Sequence, residues 1–228
     1  MTHETDGYKS MVGSAAADLV EDGMVIGLGT GSTAAFLVQA LAQRLRAGLR
    51  IVGAVPTSQE TARLASNLGI PLVTLEHYPV LDLALDGADE IDPDLNLIKG
   101  GGGALLREKV VATAARRFVV IGDASKLVQR LGTHFALPVE VVPFALGPVR
   151  RQLEALGAQV QIRLREQQPF VTDNQNYILD CRFPQGISDP AHLQTSIRAI
   201  VGVVDHGLFL GIARQALVAG PDGLQVLS

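Results

Sequence analysis

Cys181 is the only cysteine in the 228 residues. A disulfide framework within the chain and a cysteine-rich metal site are therefore excluded, and Cys181 reads as an ordinary strand residue. A large excess of one charge is missing as well: the formal net charge is −4, and no basic run or aromatic–basic interleaving points to nucleic acid. No apolar segment reaches membrane-spanning length. The opening "MTHETDGYKS" is polar and short, without the apolar core of a signal peptide. The five histidines are scattered, which argues against a histidine triad or a zinc site. A cytoplasmic protein is the expectation.

What is present is a chain that is 47% hydrophobic, too rich in apolar residues for disorder. Its length allows one large domain, or a main domain with a smaller companion. Over the first half, short apolar runs alternate with helical patterns. Strands are expected at "MVIGLG" (Met24–Gly29), "RIVGAVP" (Arg50–Pro56), "PLVTL", "VLDLALD" (Val80–Asp86), "LNLIK" and "FVVIGD" (Phe118–Asp123). Helices are expected at Ser32–Leu45, Ser58–Gly69 and "EKVVATAARR". This alternation predicts an α/β fold: a Rossmann-like, mostly parallel sheet with helices on both faces. The texture changes near Leu131. From "LPVEVVPF" onward a β-α-β-β-α order predicts a smaller α+β domain of split βαβ, ferredoxin-like type. The tail "HGLFLG…ALVAG…GLQVLS" is expected to return strands to the main sheet. The expected division is 1–131 with 207–228 as the main domain and 132–206 as the small one.

Four stretches are candidates for chemistry. "GLGTGSTA" (Gly27–Ala34) follows a strand and opens a helix, where backbone N–H groups favour an anion. A dinucleotide fingerprint would need glycine where Ser32 stands and an acid after the next strand, and a Walker A loop would need a lysine. A phosphate on a small molecule competes here with a plain helix cap. "TSQET" (Thr57–Thr61) offers further hydroxyls at the next helix start, and by itself reads as a cap. "DGADEID" (Asp86–Asp92) ends a strand. Gly87 allows a close turn that brings Asp89 back beside Asp86, and two such carboxylates can bind sugar hydroxyls or move protons. "LIKGGGGALLREK" (Leu97–Lys109) sets four costly glycines after Lys99. Missing side chains there let a ligand reach backbone N–H groups.

In the helix that follows, Glu108 shares helical spacing with Ala104, Ala112 and Ala115, whereas Arg107 and Lys109 point elsewhere. Burial among small residues would raise its pKa from about 4.3, as suits a general base. By position alone it reads as an ordinary first-turn glutamate favoured by the helix dipole. "DASK" adds Lys126 as a candidate for phosphate, with Lys9 a weaker one. All these stretches are expected at strand-to-helix turns along one edge of a single sheet.

In this order, "GLGTGSTA", "TSQET", "DGADEID", "KGGGGALLREK" and "DASK" resemble type A ribose-5-phosphate isomerase. "LPVEVVP", "VTDNQNYILD" and "GVVDHGLF" extend the resemblance over nearly the whole chain. The resemblance implies interconversion of D-ribose 5-phosphate and D-ribulose 5-phosphate in the non-oxidative pentose phosphate pathway. It implies neither metal nor organic cofactor, and a homodimer or dimer of dimers. On matching positions, Glu108 would carry a proton between C2 and C1, and Asp86 would assist ring opening and proton movement at the sugar oxygens. Lys99 with Gly100, Gly101 and Gly102 would stabilise the enediolate. Thr30, Gly31, Ser32, Thr33, Asp86, Gly87, Ala88, Asp89 and Lys126 would be substrate-binding positions. One departure is visible: Gln175 stands in "TDNQN" where the family commonly has glycine, which bears on a local turn and not on the chemistry. Two rivals are a non-catalytic sugar-phosphate sensor and an isomerase or deaminase acting on another sugar phosphate.

Overall fold

The computed structural model describes residues 2–228. Helix α1 (Thr2–Ala17) is followed by β1 (Val25–Leu28), α2 (Ser32–Arg46), β2 (Gly53–Pro56) and α3 (Gln59–Asn67). Next come β3 (Leu83–Gly87), the short strands β4 (Glu90–Ile91) and β5 (Leu97–Ile98), α4 (Leu105–Ala114) and β6 (Phe118–Asp123). Then follow β7 (Leu137–Val141), α5 (Leu146–Ala155), β8 (Gln159–Ile162), β9 (Leu164–Arg165), β10 (Gln168–Pro169) and β11 (Tyr177–Arg182). The order ends with α6 (Pro190–Arg198), β12 (Val203–His206), β13 (Leu208–Phe209), β14 (Gln215–Gly220) and β15 (Gly223–Leu227). The chain forms two compact units.

The first unit holds residues up to Ala88, then Arg107–Lys126 and Ile212–Ser228. Its six-stranded sheet has the order β15-β14-β6-β3-β1-β2. Every neighbour is parallel except β15, which pairs antiparallel with β14. The inner parallel strands are continuous apolar runs because both faces are covered, whereas the edge strand β15 is largely exposed. Strand periodicity sorts them: Ile26, Leu28, Leu83, Leu85, Val119 and Ile121 join one core with Val12, Ala16 and Val20 of the N-terminal region and Leu37, Val38 and Leu41 of α2. Each fully buried Val, Leu or Ile among them stabilises the unit by about 1.5–3 kcal/mol relative to exposure. The intervening residues face α4. A β-carbon on Gly27 would collide with Val111 of α4 and come within 3.0 Å of Ala84, so glycine lets this helix lie close on the sheet.

The second unit holds Asp89–Leu106 and Leu127–Gly211. Its four-stranded antiparallel sheet runs β12-β7-β11-β8. With α5 between β7 and β8 and α6 between β11 and β12, this is the expected split βαβ arrangement. A separate core of Leu137, Val139, Val141, Val149, Leu153, Leu179, Cys181 and Ile197 fills it. A three-stranded sheet, β13-β5-β4, lies in the same unit.

The structure redraws several expectations. Unit boundaries were expected at 131 and 207, but residues 89–106, 127–131 and 207–211 pack with the second unit. The cause is specific. Strand β5 pairs antiparallel with β4 and β13, and the Glu90 carboxylate receives N–H groups from Gly132, His134 and Phe135 at 2.6–2.7 Å. For the same reason "LNLIK" and β13 are not strands of the parallel sheet. The expected strand "PLVTL" is reduced to one bridge, Ala54 to Leu72. Helix α1 has no counterpart in the sequence reading, although Val12, Ala16 and Val20 recur at a spacing of four and are fully buried.

Candidate active site

In the first unit the candidates converge at the carboxyl ends of β1, β2 and β3. Asp86 is 3% exposed. Its Oδ1 accepts the backbone N–H of Thr30 at 3.1 Å and of Gly87 at 2.7 Å. The carboxylate lies against the turn after β1: a β-carbon on Gly29 would fall onto it, 2.6 Å from the Asp86 Cα. Glycine at position 29 is what leaves room for Asp86.

The hydroxyls of "GLGTGSTA" and "TSQET" meet in one cluster. Thr30 Oγ1 is 2.7 Å from Thr57 Oγ1, 2.9 Å from Ser58 Oγ and 3.1 Å from Thr61 Oγ1. Thr61 Oγ1 in turn donates to the Gly29 carbonyl at 2.9 Å. Ser58 also caps α3 by accepting the Thr61 N–H, so the cap reading of "TSQET" holds alongside its place in the cluster. At α2 the cap reading fails. The N-cap is Gly31, at φ 110°, with no side-chain cap bond, and Ser32 is the first helical residue. A glycine in the left-handed half of φ space opens this helix, and Gly31 and Ser32 are exposed at its positive end.

Glu108 is 4% exposed, in the first turn of α4. The helix returns the chain to a strand parallel to β3, so its N-terminus lies toward the carboxyl ends of the strands. Glu108 is one turn nearer those ends than Val111, which meets Gly27 and lies on the same helical face. Ala104 and Ala112 are buried as the small-residue stripe required, while Ala115 is half-buried. Lys109, read as pointing elsewhere, is buried too, at 5% exposure. Lys126 ends the short 3-10 turn Ala124–Lys126 after β6 and is half-buried. That turn is anchored by Asp123 Oδ1, which accepts the Ser125 N–H at 3.0 Å. Lys9 lies on α1, 3.9 Å from Asp6.

In the second unit the aspartate turn and the glycine loop are tied together. Asp89 donates its N–H to the Ile98 carbonyl at 2.8 Å, and Asp89 Oδ2 accepts the Gly101 N–H at 2.7 Å. A side chain on Gly101 would meet Asp89 Oδ1 at 2.5 Å. Gly100 and Gly103 stand at φ 102° and 84°, where only glycine is unstrained. Phe170 packs where a Gly103 side chain would be. Lys99 is 2% exposed; its N–H donates to the Gly207 carbonyl at 2.9 Å and its Nζ stands 5.5 Å from the Phe209 ring centre. Such a cation–π contact, when desolvated, is worth about 2 kcal/mol.

Two acids of "DGADEID" have structural work instead. Glu90 holds the loop at 132–135, and Asp92 Oδ1 accepts the N–H groups of Asp94 and Asn96. Sequence reasoning passed over Arg163. Its Nη1 donates to the carbonyls of Gly100, at 2.7 Å, and Gly101, at 3.1 Å. A cation at the end of a strand later in the chain was the available signal, but nothing in the local sequence says which carbonyls it reaches. Among the described residues, no group of three or more His, Cys, Asp or Glu side chains is placed to hold a metal ion, and no helix is long and apolar enough to cross a membrane.

The family model described as ribose 5-phosphate isomerase A (phosphoriboisomerase A) matches residues 53–223. Ribose-5-phosphate isomerase A of Synechococcus sp. (strain JA-3-3Ab) is 55% identical over 225 residues, covering 97% of both chains. The solved ribose 5-phosphate isomerase A of Methanocaldococcus jannaschii is 44% identical, with a TM-score of 0.93 over 98% of this chain and 99% of that one. A D-ribose-5-phosphate isomerase solved in complex with phospho-erythronic acid is 38% identical, with a TM-score of 0.95 over 98% and 99% of the two chains.

Proposed function

The chain belongs to the ribose 5-phosphate isomerase A family, an aldose–ketose isomerase family, and from that premise we propose how its residues divide the reaction. The activity is interconversion of D-ribose 5-phosphate and D-ribulose 5-phosphate; the sensor and deaminase alternatives are not favoured. Glu108 is the base. It removes the proton from C2 of the open-chain aldose and returns it to C1, a transfer that one carboxylate reaching two adjacent carbons can perform. Asp86, fixed through Oδ1 by two backbone N–H groups, handles protons at the sugar oxygens during ring opening. Lys99 and the glycine loop Gly100 to Gly102 balance the enediolate charge; with the Gly101 N–H held by Asp89 Oδ2, the loop's donation falls to its other N–H groups, and fixed donors need no rearrangement as charge develops.

Asp89, Gly87 and Ala88 hold the sugar, and Thr30 to Thr33 with Lys126 hold the phosphate. Phospho-erythronic acid, bound by a relative, has a carboxylate where the enediolate would form, and we expect this chain to bind it as an enediolate mimic. No cofactor takes part in this scheme. The protein works in the cytoplasm as a homodimer or dimer of dimers. The observation that carries the reading is the burial of Glu108, at 4% exposure, on the face of α4 turned to the strands. It is tested with Glu108→Gln, which keeps shape and removes basicity. Turnover should fall about 10²–10⁴-fold with phospho-erythronate binding largely kept. Turnover near the parent rate would show that Glu108 is not the base.

A further inference from the structure

We infer that Arg163, aligned by Asp180, is a positioning residue that sets the planes of the glycine-loop peptides and so aims the Gly102 N–H at the reacting oxygens. The inference rests on the reading of that loop as the enediolate-binding element. A trans peptide is planar, with the carbonyl of one residue and the N–H of the next pointing in opposite directions. The Gly100–Gly101 peptide is held at both ends, its oxygen by Arg163 Nη1 at 2.7 Å and its N–H by Asp89 Oδ2 at 2.7 Å. The Gly101–Gly102 peptide has its oxygen on the same Nη1 at 3.1 Å. The Gly102 N–H is therefore directed away from the guanidinium. One cation sets two consecutive peptide planes in a stretch that has no side chains of its own to do so.

Arg163 is itself fixed. Its Nε donates to Asp180 Oδ2 at 2.9 Å and its Nη2 to Asp180 Oδ1, a two-pronged pairing that fixes the plane of the guanidinium. The two side chains are only 14% and 26% exposed. Arg163 directly follows β8, and Asp180 lies in β11, which pairs with β8; the Arg163 N–H donates to the Ile178 carbonyl at 2.9 Å. The cation also acts through the bond itself. A carbonyl that accepts a charged hydrogen bond makes the N–H of its own peptide a stronger donor. Four glycines would otherwise leave the loop many conformations, most with the donors misdirected.

The test separates aiming from mere folding. Arg163→Ala is measured for kcat, for KM and for inhibition by two probes, inorganic phosphate and phospho-erythronate. The inference expects kcat to fall roughly 10–100-fold, the scale of a misplaced catalytic donor. Phospho-erythronate affinity should fall with it, phosphate affinity should stay within about twofold, and added guanidinium should restore part of kcat. Parent-like kcat, or equal weakening of both probes, overturns it. If the alanine variant does not fold, the same ratio is read on Arg163→Lys, which keeps charge and loses the fork. Glu108→Gln serves as the control: its failure to reduce turnover removes the reading of the loop, whereas its success beside an unaffected Arg163→Ala removes this inference alone.

Discussion

Gly29 and Asp86 compete for one volume, since a β-carbon on the glycine would lie within the aspartate carboxylate. Gly29→Ala should therefore displace Asp86 and the two N–H groups that hold it. The expected result is a fall in kcat of about 10²-fold, because an ångström of misplacement costs that much. The strain of overpacking should lower stability by about 1–3 kcal/mol. Steady-state kinetics and a denaturant melt on the same preparation check both. Parent-like kcat would mean that Asp86 has no fixed part in the reaction.

Gln175 occupies a left-handed conformation, φ 64°, in the turn where its N–H donates to the Thr172 carbonyl at 2.9 Å. The turn that glycine would make easily is thus made by a residue with a side chain. Gln175→Gly should relieve roughly 1 kcal/mol, less the extra freedom of the unfolded glycine. Melting temperature should rise by up to about 2–4 °C, with kcat unchanged. A lower melting temperature would contradict a strained turn.

Cys181 is fully buried, and burial first, then the Asp180 charge, holds its thiol far above the ordinary value near 9.0. A raised folded value means that stability is fully present below the unfolded value of about 9 and is lost as pH climbs above it. There the unfolded thiol ionises and the folded one does not. Between pH 9 and 10.5, unfolding free energy should drop with a slope of up to about 1.4 kcal/mol per pH unit that Cys181→Ala lacks. Identical slopes in the two proteins would refute this. A thiol reagent should label Cys181 only on unfolding.

Fixed donors carry the enediolate charge in the proposed scheme, so chelation should not matter. Millimolar EDTA should leave turnover unchanged in a coupled isomerisation assay. A loss reversed by added divalent metal would overturn the metal-free scheme.

How far the sequence reveals this molecule depends on the range of the interaction concerned. Phe118–Asp123 is legible to the residue, because a doubly covered strand is an unbroken apolar run. The helix expected at Ser32–Leu45 from its periodicity ends one residue later, at Arg46. "PLVTL" has the same apolar character but only one bridging partner, and composition does not encode partners. The separation of β5 from the parallel sheet turns on Glu90, whose three N–H donors lie more than 40 residues away. Among the candidate residues, Asp86, Lys99, the glycines and Glu108 stand out because each breaks a local rule: acid at a strand end, glycine in a run, charge on a small-residue face. Arg163 breaks none, and its partners at Gly100 and Gly101 lie more than 60 residues earlier.

The placement of β14 has a consequence for synthesis. Val119 of β6 finds its partner in Gln215, 96 positions later, by the register that pairs the two. A ribosome adding about 5–20 residues per second needs roughly 5–20 s to cover that interval. Throughout it, the edge of β6 that β14 will cover presents a row of unpaired N–H and C=O groups, between apolar side chains, to whatever else is in the cell. The emerging chain thus passes through a sticky adolescence set by strand order, and a holding chaperone would find its target there.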